Sequence, residues 1–198
     1  DRGACPEALT GLTRFGRTRI DRVLERGGID LDLPEQEVEP TSDGGWRLVL
    51  RAQTPAERYN AQVSLLAGEC AASLMLRAGV GILRTVPPAQ PDDVERVRRT
   101  AIGLGVDWPA GTPVGRVVAS VDSADPRGAA FLDLAATLLR GSAYTAFTDG
   151  APEQPLHAGV AAPYAHVTAP LRRLADRFAT EACLPAFDGT APPPWVLE

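Results

Sequence analysis

Residues 164–176 read YAHVTAPLRRLAD and hold the most chemically informative side chains of the sequence. Pro170 suits the first turn of a helix, and apolar residues follow it at spacings of three and four. This pattern predicts a helix that begins at Pro170, with one apolar face and with Thr168 or Ala169 as its N-cap. The residues before Thr168 are predicted to be extended.

Arg172 and Arg173 fall in the first turn of this predicted helix. Free amide N–H groups already make that end of a helix partly positive, so two more cations there are unfavourable unless an anion is bound. A phosphate-binding pocket is one interpretation of the pair. Local ion pairs with Asp176 are a second interpretation, and an anchor in a protein interface is a third. The residue types alone do not decide among them.

Both histidines of the chain, His157 and His166, lie in this region. An isolated histidine in an extended segment is more often a packed, hydrogen-bonded residue than a catalyst. No carboxylate or nucleophile stands at a spacing that indicates a Ser-His-Asp triad. Two histidines alone do not form a zinc site.

The acidic pairs and the cysteines also indicate structure rather than metal chemistry. One acidic pair lies in a predicted loop and another begins a predicted helix, at Asp30/Asp32 and Asp92/Asp93. The three cysteines are far apart and form no CxxC motif, so we interpret them as reduced, buried thiols: Cys5, Cys70 and Cys183. We predict no metal site within this sequence.

The composition, 198 residues with 44% hydrophobic and 23% charged, is typical of a globular protein. The net charge of -5 argues against a strongly basic, non-specific nucleic-acid binder. All 20 basic residues are arginine, and each guanidinium can bind a phosphate with two hydrogen bonds. Apolar stretches are too short for a membrane span and no leader opens the sequence, so we expect a cytoplasmic protein with no membrane partner.

Helix and strand signals alternate along the rest of the chain. A capping box at residues 54–57 begins a long helix that ends near Gly79, and its predicted buried stripe is Tyr59, Val63, Leu66, Cys70 and Leu74. Proline-led starts predict three more helices, from Pro91, Thr112-Pro113 and Asp125-Pro126.

Period-two alternation predicts a hairpin with strands at 36–40 and 46–51, and shorter extended pieces at 82–86 and 143–147. Trp195, in the proline-rich tail, is predicted to pack on the body of the protein. Together these signals predict an α/β fold, a mixed sheet with several flanking helices.

Residues 164–176 resemble the signature of the ribonuclease II family catalytic domain, the RNB domain. That signature reads tyrosine, any residue, histidine, aromatic, threonine, serine, proline, aliphatic, arginine, arginine or lysine, tyrosine, any residue, aspartate. Other stretches follow in the family's order and extend the resemblance over nearly the whole chain, at residues 26–35, 65–71, 83–87 and 139–144. The resemblance implies that residues 1–198 are the C-terminal part of a single RNB-type domain.

The resemblance implies a hydrolytic exoribonuclease that degrades single-stranded RNA in the 3′-to-5′ direction and releases nucleoside 5′-monophosphates. Mg²⁺ would be held by aspartates expected upstream of this chain, in the N-terminal half of the same catalytic domain. Arg172 would be the catalytic residue that grips the scissile phosphate, and Arg173 a second phosphate contact or a positioner. Tyr164, His166 and Thr168 would shape the channel around the last nucleotides.

The sequence departs from the family at several positions. The signature serine and second tyrosine are alanine and leucine here, and the asparagine of the family's long helix is Gly68. The paired glutamates that open that helix are Ala61 and Gln62, so Asn60 or Gln62 is predicted to replace a glutamate in a ribose contact. Two hypotheses stay open, an enzyme and a catalytically inactive module that binds RNA 3′ ends. The residues encoded upstream distinguish them.

Overall fold

The computed structural model describes residues 7–31, 33 and 35–197. Its helices α1 to α6 are Glu7–Glu25, Pro55–Ala78, Pro91–Gly103, Val114–Ser120, Pro126–Ala136 and Leu174–Asp188. Its strands β1 to β6 are Glu35–Pro40, Trp46–Arg51, Gly81–Thr85, Ala143–Phe147, Leu156–His157 and Ala162–Pro163. Short 3₁₀ turns span Thr137–Leu139 and Pro194–Val196. Among the described helices, none combines the length and the apolar character that crossing a membrane requires.

The strands form three antiparallel pairs, β1–β2, β3–β4 and β5–β6. A parallel bridge between Val86 and His157 joins the end of β3 to β5. The predicted α/β class with flanking helices is therefore confirmed, and its sheet structure consists of short ladders rather than one wide sheet. A two-stranded ribbon is only marginally stable alone, and two of the three ladders pack on helices, β3 on α2 and α6 and β6 on α2.

Local signals determine where most helices begin. The amide of Glu57 donates to Thr54 Oγ1 at 3.3 Å, and the amide of Thr54 donates to Glu57 Oε2 at 2.8 Å, so the predicted capping box is formed. Gly79, in the left-handed conformation, ends α2. Helices α3, α4 and α5 also begin at or directly after their predicted prolines.

The buried face of α2 differs from the prediction. Val63 is 47% exposed and Cys70 is also exposed. The residues that are buried are small or lie on the neighbouring stripe: Gln62, Gly68, Ala71, Ala72 and Met75. The predicted stripe is wrong because α1, α6 and β3 all pack on this helix, so that burial is not confined to one apolar row.

The prediction of buried thiols is also wrong for Cys70. Cys183 is half-buried, its thiol lies 3.6 Å from the carbonyl oxygen of Ala71, and burial raises its pKa to about 11. Cys5 lies outside the described residues.

Two apolar cores stabilise the fold. One joins α3, α4 and α5 around Val97, Phe131 and Leu132, and the rings of Trp108 and Phe131 pack nearly perpendicular to each other with centroids 6.1 Å apart. The other joins α2, β3, β4 and α6 around residues that include Met75 and Leu83. Trp195 packs edge-on against Phe178 of α6, at 5.4 Å between centroids, which confirms the predicted docking of the tail.

The β1–β2 hairpin has two unlike faces. On one face Arg51 binds three carboxylates, Glu35 at 2.6 Å, Glu37 at 2.6 Å and Glu57 at 3.0 Å. The other face is apolar and exposed, and comprises Val38, Trp46, Leu48 and Leu50.

Candidate functional site

Helix α6 begins at Leu174, four residues later than the sequence predicts. The carbonyl of Ala169 accepts from the amides of Arg172 at 3.2 Å and Arg173 at 3.0 Å, so that residues 169–173 form a turn before the helix. The prediction that both arginines lie in the first helical turn is therefore wrong. The predicted apolar face comprises Leu171, Leu174, Phe178 and Ala182, and it is wrong at Leu171 and Leu174, which are both exposed.

Asp176 explains this turn. Its carboxylate is completely buried and accepts from the amide of Ala169 at 2.7 Å and from Arg173 Nε at 2.8 Å and Nη2 at 3.0 Å. Burial disfavours its charge, but the bonds from Arg173 and from the Ala169 amide hold the pKa of Asp176 below its ordinary value. The chain is thereby held in the turn and does not continue as a helix through Ala169.

Arg172 and Arg173 differ in their contacts. Arg173 makes a two-bond ion pair with Asp176, which confirms the interpretation of local pairing for this residue. Arg172 is exposed, and its guanidinium makes no hydrogen bond or ion pair within the described part of the chain. The pair does not form one shared anion pocket, because only Arg172 is free to bind a ligand.

The segment before the turn is fixed on both sides. The carbonyl of Tyr164 accepts from the amide of Arg84 in β3 at 2.8 Å, and the amide of Ala165 donates to the carbonyl of Gly68 in α2 at 3.2 Å. A Cβ at Gly68 would lie 2.2 Å from Tyr164 Cε2 and 2.5 Å from the carbonyl oxygen of Ala165. Only glycine leaves room for this approach.

Four rings form a continuous series that we name the aromatic row: His157, Tyr164, His166 and Tyr144. Successive ring centroids are 5.6, 5.5 and 5.7 Å apart, and each pair meets edge to face. The hydroxyl of Tyr144 is hydrogen-bonded to His166 Nδ1 at 2.8 Å. At the end of the row, the guanidinium of Arg84 lies 4.9 Å from the centre of the Tyr144 ring and donates to Ser142 Oγ at 2.6 Å.

Burial shifts the pKa values of three rings of the row, His157, Tyr164 and His166, toward their uncharged forms. Burial lowers the pKa of His157, and the nearby Arg84 lowers it further. Burial followed by the charge of Arg173 lowers the pKa of His166, while burial raises the pKa of Tyr164. Both imidazoles and the phenol are therefore uncharged at neutral pH.

From Tyr164 to Tyr144, exposure increases along the row. Tyr164 is only 8% exposed, His166 is half-buried, and Tyr144 is 44% exposed. Thr168 is exposed just beyond His166. The outer half of the row is therefore accessible to a planar ligand, and flat aromatic, histidine and arginine surfaces are those on which unpaired nucleobases stack in proteins.

The two predicted ribose contacts lie elsewhere on α2. Asn60 is exposed, whereas Gln62 is 4% exposed and its Oε1 has no hydrogen-bond partner among the described residues. They precede Gly68 by eight and six residues, about 12 and 9 Å along a helix axis. Neither side chain is hydrogen-bonded to the aromatic row in the described structure, and their ribose contact stays a prediction.

Sequence reasoning missed Tyr144 and Arg84 as parts of the site. Both strands were predicted, but not their pairing, in which Arg84 lies directly opposite Tyr144. An antiparallel register between residues 82–86 and 143–147 was the signal that could have found them, because opposite residues share a face of the ladder.

The described residues do not form a magnesium site. Among them, no group of three or more histidine, cysteine or acidic side chains is placed to hold a metal ion. Asp176, the carboxylate beside the row, is occupied by Arg173 and the Ala169 amide. The site as described can hold a base and a phosphate.

Solved structures with a similar fold include those of RNase R, Ssd1 and Dss1. RNase R of Mycoplasma genitalium, in complex with ribose-methylated single-stranded RNA, is 17% identical with a TM-score of 0.72, over 93% of this chain and 30% of that one. Yeast Ssd1, a pseudonuclease, is 16% identical with a TM-score of 0.65, over 96% of this chain and 24% of that one. An active-site mutant of the Dss1 exoribonuclease from Candida glabrata is 15% identical with a TM-score of 0.59, over 97% of this chain and 24% of that one.

The chain has an RNB-like fold. It spans less than a third of the length of these three proteins. Neither protein-family profiles nor curated protein sequences give a match. The predicted resemblance to the RNB domain is thus confirmed for the fold.

Proposed function

We propose that the aromatic row and Arg172 bind the 3′-terminal nucleotides of single-stranded RNA. We propose further that residues 1–198 are the C-terminal part of an RNB-type domain, a hydrolytic 3′-to-5′ exoribonuclease that releases nucleoside 5′-monophosphates. One observation carries the proposal: on an RNB-like fold, an accessible aromatic row ends beneath Arg84 and adjoins a turn that carries an unpaired arginine.

Tyr144 and His166 supply the base-binding surface in this proposal. Stacking of a base on an aromatic side chain contributes about 1–3 kcal/mol and tolerates any sequence. The hydrogen bond between the two rings holds them in a fixed arrangement before RNA binds. Because His166 is neutral, it acts as a stacking and hydrogen-bonding group and not as a cation for phosphate.

Arg172 is the phosphate ligand in this proposal. A free guanidinium can bind two phosphate oxygens at once and stabilise the charge that develops at phosphorus during hydrolysis. Arg173 has a different role, because its ion pair with buried Asp176 fixes the turn that carries Arg172. Arg173 is therefore a positioning residue.

In the proposed enzyme, the Mg²⁺ ligands are expected outside this chain. Mg²⁺ would be held by carboxylates of the N-terminal half of the domain, outside these 198 residues. This chain would hold the terminal nucleotides and orient their phosphate toward that centre. The description of Dss1 as an exoribonuclease supports a nuclease with this fold.

A module that binds RNA 3′ ends without cleaving them is the second candidate. The similarity in fold to Ssd1, which is described as a pseudonuclease, favours this candidate. The aromatic row and Arg172 would serve either protein equally.

The deciding experiment measures 3′ trimming by the full-length protein. A 5′-labelled single-stranded RNA is supplied with a free or a blocked 3′ end, and with Mg²⁺ or a chelator. The enzyme hypothesis predicts trimming of the free end that requires Mg²⁺. Binding of the free end without any trimming identifies the inactive module, and absence of RNA binding contradicts both.

Arg172→Ala separates catalysis from binding in the same assay. We expect a loss of about 10²-fold or more in rate, by analogy with other groups that stabilise transition-state charge, and a much smaller loss of RNA affinity. Arg177→Ala removes an exposed arginine from the first turn of α6 and serves as the control. Equal rates for the two variants would remove Arg172 from the proposed site.

Tyr144→Ala tests the base-binding surface. Loss of one stacked base predicts RNA binding weaker by about 5- to 150-fold, the range that corresponds to 1–3 kcal/mol. Phe187→Ala, which removes another exposed ring from α6, is the control and should bind RNA as the wild type does. Unchanged affinity of Tyr144→Ala would place the bases elsewhere.

A further inference from the structure

Helix α1 carries a concentration of positive charge that the proposed RNA site does not use. Residues 14–22 contain four arginines and one aspartate, in a chain whose net charge is -5. Arg17 is occupied, since its Nε donates to the hydroxyl of Tyr59 at 3.2 Å. The guanidinium groups of Arg14 and Arg22 form no hydrogen bond or ion pair with any described residue.

These arginines line a groove between α1 and α2 with a volume of about 370 Å³. Arg14, Thr18 and Arg22 follow one another at intervals of one helical turn and therefore share one face of α1. Phe15 and Leu66 supply its apolar lining. The space is many times the volume of a water molecule, about 30 Å³, so it accommodates a hydrated oxyanion.

Arg19 lies between these two arginines in sequence and also lines the groove. It is only 7% exposed, and its Nε has no hydrogen-bond partner in the described structure. Its Nη2 binds Glu69, but the same carboxylate oxygen also accepts from Arg26 at 3.3 Å. One carboxylate thus faces two guanidinium groups, and a buried N–H donor is left over. Buried donors of this kind are normally satisfied, which indicates a missing partner.

We propose that this groove binds a phosphate group, with Arg19 as the buried donor and Arg14 and Arg22 as the exposed ones. A phosphate offers acceptor oxygens for several arginines at once and supplies the negative charge that the groove lacks. The phosphate belongs either to a nucleic-acid backbone or to a free anion, and the experiment below distinguishes the two sources. The proposal does not depend on the aromatic row.

The test uses the 198-residue chain with arginine Nε–Hε NMR signals as the readout. The probes are inorganic phosphate, a single-stranded RNA decamer, and a decamer of the same sequence with an uncharged backbone. Arg14→Gln with Arg22→Gln removes the exposed donors and keeps Arg19 with Glu69. Arg98→Gln with Arg99→Gln removes the same charge from α3 and is the matched control.

We expect phosphate to shift the Arg19 signal in the wild type and in the control, and not in the groove variant. The affinity for RNA falls as salt is added, and the slope of log affinity against log salt concentration measures this fall. If the RNA backbone binds in the groove, each lost phosphate contact makes that slope shallower by about 0.7. The advantage of the wild type over the groove variant then shrinks about sevenfold between 50 and 200 mM salt. The uncharged decamer should show no such difference.

A shift with inorganic phosphate but no change in RNA binding assigns the groove to a free anion. The proposal is overturned if neither phosphate nor RNA shifts the Arg19 signal, or if both double variants respond alike. Failure here is distinct from failure of the proposed function, because RNA binding that responds to Tyr144→Ala but not to the groove variant leaves the aromatic row intact.

Discussion

Asp176 and Arg51 are each bound by several partners, but one is buried and the other lies at the surface. Asp176 is fully enclosed, and two groups, Arg173 and the Ala169 amide, surround its carboxylate. Arg51 binds three glutamates at the open edge of the hairpin. Three carboxylates raise the pKa of Arg51, although its side chain remains in contact with water.

The difference teaches that the number of ion pairs does not measure their contribution. Water and salt screen charges at the surface, and the ordering of long side chains opposes their pairing. In the interior, removal of one partner leaves the other group without compensation. Asp176 with two partners should therefore matter more than Arg51 with three.

Asp176→Ala should give the largest effect. The free energy of unfolding should fall by about 3–5 kcal/mol, because the Ala169 amide and Arg173 lose their acceptor. Urea unfolding measures this value, and each kcal/mol corresponds to roughly 2–4 °C in Tm. Asp188→Ala, at the exposed end of α6, is the control and should be near wild type. A small effect of Asp176→Ala would show that other contacts hold the turn.

Gly68→Ala should come next. The added methyl meets the Tyr164 ring and the Ala165 carbonyl, and overpacking of this kind costs about 1–3 kcal/mol. The Tyr164 ring must also shift, which a change in its NMR signals would report. Gly11→Ala in α1 meets nothing within 4 Å and should stabilise the helix by about 0.5–1 kcal/mol. If both substitutions were neutral, the close approach of Tyr164 to α2 would be wrong.

A smaller loss of stability is expected when the pH is lowered. The pKa values of His157 and His166 lie below their ordinary value of 6.5, so the folded protein favours the neutral rings. Their contribution to stability is complete above about pH 6.5 and is lost as the pH falls through the lowered values. Urea midpoints at pH 7.5 and 5.5 measure this loss, which His157→Gln and His166→Gln should reduce. Higher stability at pH 5.5 would contradict the burial of these rings.

Arg51→Gln should give the smallest effect and complete the comparison. We expect a slight loss of stability at low ionic strength that disappears in 1 M salt, where the Debye length is about 3 Å. Thermal unfolding at the two salt concentrations provides the measurement. A loss as large as that of Asp176→Ala would show that the hairpin charges contribute as strongly as a buried pair.

The sequence predicts best what is decided locally. The capping box at Thr54 and the proline-led starts of α3, α4 and α5 depend on residues within one turn, and all are formed. The start of α6 could not be predicted in the same way, because a bond between Asp176 and the Ala169 amide competes with helical continuation. Local propensity favoured the helix, and a buried carboxylate favoured the turn.

The candidate site follows the same rule. The segment 164–176 was recognised from its own residues, whereas the partners Arg84 and Tyr144 come from strands 60 residues apart. The buried face of α2 depends on its packing against α1, α6, β3 and β6, so its own periodicity did not identify it. Contacts between distant parts of the chain decide these features, and no local pattern encodes them.

The hairpin's apolar face also gives the protein an internal optical reporter. Trp46 is 72% exposed, Trp195 is 47% exposed and Trp108 is 7% exposed, so the three indoles sample water, a boundary and the interior. Emission from Trp46 should lie furthest to the red and respond first to a soluble quencher. With Trp108 as a shielded reference, fluorescence can follow the hairpin and the α3–α5 core separately during unfolding, without any added dye.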